Sequence, residues 1–122
     1  MALITIQIAS VVGGGICVAA SDGNKVHDEI LAAFKAHHRV ELSFQNVTRM
    51  TTAFLNAAVG QLYGEFSEDQ LRAMLAPPAH AEPWHLKRLK LVVDRAKTYF
   101  RDPKAATKAF REVTGLGDEQ DD

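Results

Sequence analysis

Cysteine is nearly absent: one thiol, Cys17, stands in 122 residues. It can neither close an internal disulfide nor supply a thiolate zinc set, so a stapled scaffold and a zinc finger are both excluded. Long apolar runs are missing too. The longest, such as residues 16 to 20, fall far short of the roughly 20 residues that cross a bilayer. The amino terminus, Met-Ala-Leu-Ile-Thr-Ile, has no basic stretch ahead of its apolar residues and reads as neither a secretory signal nor a transit peptide. The expected location is the cytosol. Neither Gly-x-Gly-x-x-Gly nor Gly-Lys-Ser/Thr occurs, which excludes a nucleotide-binding doubly wound domain by motif. The one glycine cluster, Gly13-Gly14-Gly15, lies between apolar runs that read as strands, where a hairpin turn or bulge fits better than a phosphate cradle.

What is present is the composition of a globular protein, 47% apolar and 24% charged. The expected organisation is one domain over residues 1–114 and a disordered acidic tail over 115–122. Charge is unevenly spread behind a formal net of −1: residues 1–83 hold 5 Lys or Arg against 8 Asp or Glu, residues 84–111 hold 9 against 2, and residues 112–122 hold none against 5. A basic segment followed by an acidic end marks either a polyanion-facing surface or a solvated helix face loosely screened by its tail.

Apolar periodicity predicts the elements. Alternation at Ile4, Ile6 and Ile8 predicts a first strand, and the glycines then return the chain into a second over 16–19. Ser21-Asp22 offers an N-cap for a helix over 24–38, with Val26, Ile30, Ala33, Phe34 and His37 on one face. Val40, Leu42 and Phe44 alternate in a strand over 39–44, a loop covers 45–50, and Thr51-Thr52 opens a helix carrying Phe54, Leu55, Ala58, Val59, Leu62 and Phe66. The pair Gly60 and Gly64 marks close packing of that helix on the sheet. Residues 71–75 read weakly as a strand, in competition with a short helix after Ser67. Pro83 suits the first position of a helix whose stripe is Leu86, Leu89, Val93, Ala96 and Phe100. A last short helix bears Ala106, Phe110 and Val113. The order ββαβα(β)α predicts an α/β sandwich with a small mixed sheet of about four strands.

Catalytic constellations are thin. Adjacent His37 and His38 point about 100 degrees apart on a helix, too far to share a metal without another donor. His80 and His85 flank a proline-rich turn with Glu82 between them, a chance chelate at most. Cys17, in an apolar strand, reads as a buried small hydrophobe. His27 joins no pattern. The expectation is no metal, no cofactor and no enzyme.

The segment Val40–Tyr63, strand, short turn, two hydroxylic residues and an apolar helix, resembles the STAS domain of sulfate transporters and anti-sigma antagonists. It is more closely similar to the bacterial STAS-like family of unknown function (DUF4325), with Phe54 as its aromatic and Leu62-Tyr63-Gly64-Glu65 continuing into a Gly-ended helix. The resemblance implies a sheet of four strands flanked by helices, no cofactor, and a regulator whose partner is a GHKL-type ATPase or serine kinase. It also implies Thr52, then Thr51, as phosphoacceptor candidates, within a partner-binding patch of Met50, Thr51, Thr52, Ala53 and Asn56 at an exposed helix start. A nucleic-acid-binding module using Lys87, Lys90, Lys97, Arg101, Lys104 and Lys108 is the alternative. The oligomeric state is left open.

Overall fold

Alternating β-branched residues make Leu3–Gln7 the first strand, β1, in a computed structural model that describes residues 2–101. The strand does not turn back on itself. Residues Ile8–Val12 coil into a short helix, α1, with Ile8 buried beneath it, so Ile8 serves the helix rather than the strand. Gly13, at φ 95°, ends α1 in the left-handed region that glycine enters without steric cost, and its N–H and that of Gly14 both reach the Ala9 carbonyl. The expected hairpin is therefore replaced by a helix stop.

Strand β2 is only Ile16–Cys17, and α2 runs Ala20–Lys35. Its N-cap is Ala19, which gives no side-chain bond; Ser21 and Asp22 lie inside the first turn, where the Asp22 carboxylate suits the positive helix end. The helix stops short of the expected His38. β3 covers Arg39–Ser43, and the expected loop contains a two-residue strand, β4, Arg49–Met50. Next come α3, Thr52–Leu55, a π-helical stretch, Asn56–Gly60, and α4, Leu62–Glu65. Residues Glu68–Met74 form α5, opened by a reciprocal Ser67–Gln70 capping box. That cap decides the 71–75 segment for helix, leaving Leu75 to make a lone bridge to Val40. As expected, Pro83 begins the long helix α6, Pro83–Arg101. The last short helix and the acidic tail lie outside the described residues.

Instead of one mixed sheet of four strands, two parallel pairs form, β1 with β3 and β2 with β4. Parallel neighbours need a crossover, and α2 supplies it between β1 and β3. Bridges from Leu75 and Ala79 extend β3 on its far side.

The core gathers Ile6, Ile8, Cys17, Val26, Ile30, Val40, Phe44, Met50, Phe54, Leu55 and Leu62 between α2, β3 and the helical run from Thr52. α6 joins it with a face one step away from the expected stripe. His85, Val92 and Ala96 are buried, Leu89 and Val93 are half-buried, and Leu86 and Phe100 stand exposed. The reason is what α6 covers: it packs chiefly on α3, α4 and the π-helical stretch, and reaches β4 through the Arg88 bond to the Met50 carbonyl. Gly60 and Gly64 serve that contact. A Cβ at Gly64 would come within 2.5 Å of the Phe100 ring, and one at Gly60 would sit 3.6 Å from Val92. Close packing is thus present at Gly64, with α6 as the partner, while at Gly60 α6 stands at ordinary contact distance.

Candidate functional site

The helix start after β4 is wedged between two neighbours. On one side β2 reaches it: the Thr51 N–H donates to the Cys17 carbonyl at 3.1 Å, and the Thr51 hydroxyl donates to the Val18 carbonyl at 2.8 Å. The same hydroxyl accepts from the Phe54 N–H at 3.2 Å, making Thr51 the N-cap of α3. On the other side α6 holds the preceding loop by its carbonyls. The His85 Nε2–H donates to Val47 at 2.8 Å, and the Arg88 guanidinium donates to Met50.

His85 is locked in one tautomer. Its Nδ1 accepts the Glu82 N–H at 2.9 Å, so the proton must sit on Nε2. The signal lies in the sequence: Glu82-Pro83-Trp84-His85 puts His85 three residues after Glu82, the residue before the helix, where a side-chain acceptor closes half a capping box. Stacking on Phe44 and Trp84, at ring separations of 5.1 and 3.9 Å, completes its burial.

The expected exposed patch is therefore internal. Met50, Thr51 (4% exposed) and Thr52 (1%) are buried, while Ala53 and Asn56 are half-buried. The correction has a physical cause: two short parallel strands and α6 together use the backbone of residues 47–51. A phosphate on either threonine requires the helix start to open.

A second buried histidine tends the π-helical stretch. His27 Nε2 lies 2.8 Å from a Glu65 carboxylate oxygen and Nδ1 lies 3.4 Å from the Ala58 carbonyl, while the Gln61 amide donates to the Ala57 carbonyl at 2.7 Å. Side chains from α2 and from the helical run thus satisfy carbonyls where the regular ladder is interrupted. Periodicity could not reveal this, because a π turn has no residue pattern of its own.

Among the described residues no three His, Cys, Asp or Glu side chains come together as a metal site, and His85 has both ring nitrogens engaged. Burial, with the Asp22 charge second, pushes the Cys17 thiol up to about 11, which leaves it protonated and a poor nucleophile at neutral pH. Burial first, and then Glu68 and Asp94, raise the Tyr63 hydroxyl above its ordinary value.

The basic residues do not form one face of unpaired charge. Lys90 Nζ lies 2.7 Å from Asp94, Lys97 lies 3.9 Å from Glu68, and Arg101 forks onto both Glu68 oxygens at 2.8 and 2.9 Å. Lys104 and Lys108 lie outside the described residues. Around Lys87 and Lys90 the outer side of α6 opens into a groove of about 540 Å³, lined also by Trp84, Arg88, Leu91 and Asp94. No described helix is long and apolar enough to cross a membrane.

These features define a mixed α/β protein built on parallel strand pairs under helices, whose hydroxylic helix start is buried. Residues 22–77, from α2 to the loop after α5, match the family model described as STAS-like domain of unknown function (DUF4325). No curated protein and no solved structure matches the chain.

Proposed function

We propose that this chain is a non-enzymatic regulatory domain that works by docking a protein partner on the outer face of α6. The observation that carries the reading is the α6 groove: Trp84 and Leu91 supply an aromatic and an aliphatic anchor, and Lys87 and Lys90 stand around them. Apolar anchors within a polar rim are the anatomy of a protein interface. The lysines favour an acidic partner surface. A GHKL-type ATPase, the partner class that STAS-like domains suggest, is the first candidate to test. The threonines of the helix start enter this reading only as the scaffold behind the groove.

Protein is favoured over nucleic acid because three of the four described cations that a phosphate backbone would use, Lys90, Lys97 and Arg101, lie against carboxylates. Each would have to leave its carboxylate to meet a phosphate. A photo-crosslinking amino acid at position 91, installed in cells, tests both. The expected result is a discrete heavier adduct containing a second protein, lost when Lys87→Glu and Lys90→Glu are combined and absent when the crosslinker sits at position 28. An adduct with nucleic acid, or none, overturns the reading.

A further inference from the structure

A second surface, on β1, carries an unguarded strand edge. β1 pairs with β3 along one side only; among the described residues no strand pairs along the other. The Arg39 N–H donates to the Ala2 carbonyl at 2.8 Å, so Ala2, Ile4 and Ile6 aim their backbone groups at β3. By the alternation of a strand, Leu3, Thr5 and Gln7 aim theirs at the open edge. Natural edges are blunted by charge, proline or a bulge. This one has none: residues 1–21 contain no charged side chain and no proline, and Leu3 and Ile4 are 50% and 37% exposed.

Beside the edge lies a groove of about 470 Å³ between β1, α1 and α2, walled by Ile4, Ile6, Val11, Ala32, Ala33 and Ala36. The alanines of α2 leave room there for the side chains of one more strand. Exposure of Ile4 has the same origin: it lies on the face where Ile6 is buried, but its neighbour across the edge is missing.

We infer that a second copy of this chain fills the place, β1 against β1 in antiparallel sense about a two-fold axis at Thr5. The strand Leu3-Ile4-Thr5-Ile6-Gln7 is its own complement under that operation. Ile4 of one copy meets Ile6 of the other on the α2 side, and Thr5 meets Thr5 on the other side, both favourable cross-strand pairs. The outward N–H and C=O of Thr5 bond those of the second copy's Thr5, and the outward Gln7 N–H reaches the second copy's Leu3 carbonyl. The contact is isologous and closes on itself as a dimer. It lies away from the α6 groove, so its failure would leave the partner reading standing, and the reverse.

Sedimentation equilibrium on the full chain, from micromolar to hundreds of micromolar, tests the inference. The wild type is expected to approach twice its 13.4 kDa mass. Thr5→Pro removes an N–H that faces only the open edge, and Ile4→Lys adds the missing guard; each is expected to give 13.4 kDa with an unchanged circular dichroism spectrum. A fold-independent check is Thr5→Cys, which should oxidise rapidly to a disulfide-linked dimer, whereas Asp28→Cys should not. A wild type that stays monomeric, because the edge is free or is covered by residues 102–122, overturns the inference. So does a dimer that persists in both edge variants.

Discussion

Thr51 makes three bonds through its N–H and hydroxyl alone, two of them to β2 and the residue after it, and this ties the helix start into the interior. Replacing it separates cap from packing. Thr51→Ala is expected to lower stability by about 1–2 kcal/mol, the cost of a lost N-cap with the part-buried Val18 carbonyl left short of a donor, while Thr51→Ser retains most of it. Urea midpoints measure both. Cys17 reports on its surroundings through pH. The unfolded thiol titrates near its ordinary 9.0 and the native one at about 11. Between those values the unfolded chain has released a proton that the native chain retains, so rising pH favours unfolding; below pH 9 the contribution is fully present. Stability measured across pH 8–11 should therefore fall less steeply in Cys17→Ala than in the wild type. Reaction of native Cys17 with a thiol reagent at neutral pH should be far slower than in urea.

Among the elements, α2 crosses α3 and the π-helical stretch closely. A Cβ at Gly23 would collide with the Phe54 carbonyl oxygen and come within 2.8 Å of the Ala57 methyl. Neither neighbour can yield, the first being backbone and the second a short side chain in a packed helix. Gly23→Ala should cost about 1–3 kcal/mol by overpacking, against the usual gain of alanine over glycine within a helix. Thermal melting gives the sign directly. For α6 the buried face makes an equally sharp contrast. Val92→Ala is expected to destabilise by about 2 kcal/mol and Leu86→Ala by less than about 0.5 kcal/mol. Equal losses at the two positions would mean that α6 turns its other face inward.

For the molecule as a whole, one apolar cluster joins β1, α2, β3, α3, α4 and α6. Such a cluster should unfold in one step, with Trp84 fluorescence and helical circular dichroism changing together in denaturant. Separate midpoints would divide α6 from the remainder. The two exposed surfaces, the α6 groove and the β1 edge, lie on different elements, so lysine variants on α6 should leave the dimer mass unchanged.

Much of this was legible along the chain because it is local. Alternation marked β1 and β3, proline marked the entry to α6, the strand–turn–helix run from Val40 to Tyr63 pointed to the STAS-like family, and hydroxylic residues marked the opening of α3. Each depends on neighbours a few positions apart. The rest depended on pairings at long separation. Ile8 alternates with Ile6 yet enters a helix, because β1 finds its partner in β3 rather than across the glycines. Leu71, Ala73 and Leu75 alternate, yet the chain coils through Met74 because Ser67 and Gln70 cap it. The exposed helix start that the hydroxyls suggested became interior when β2, His85 and Arg88 converged on residues 47–51 from both sides. Periodicity says that a helix has an apolar face. What that face meets, and therefore which turn of the stripe is buried, is set by the shape of the surface it packs on, and for α6 that surface is a π-helical stretch whose bulge no spacing of residues foretells.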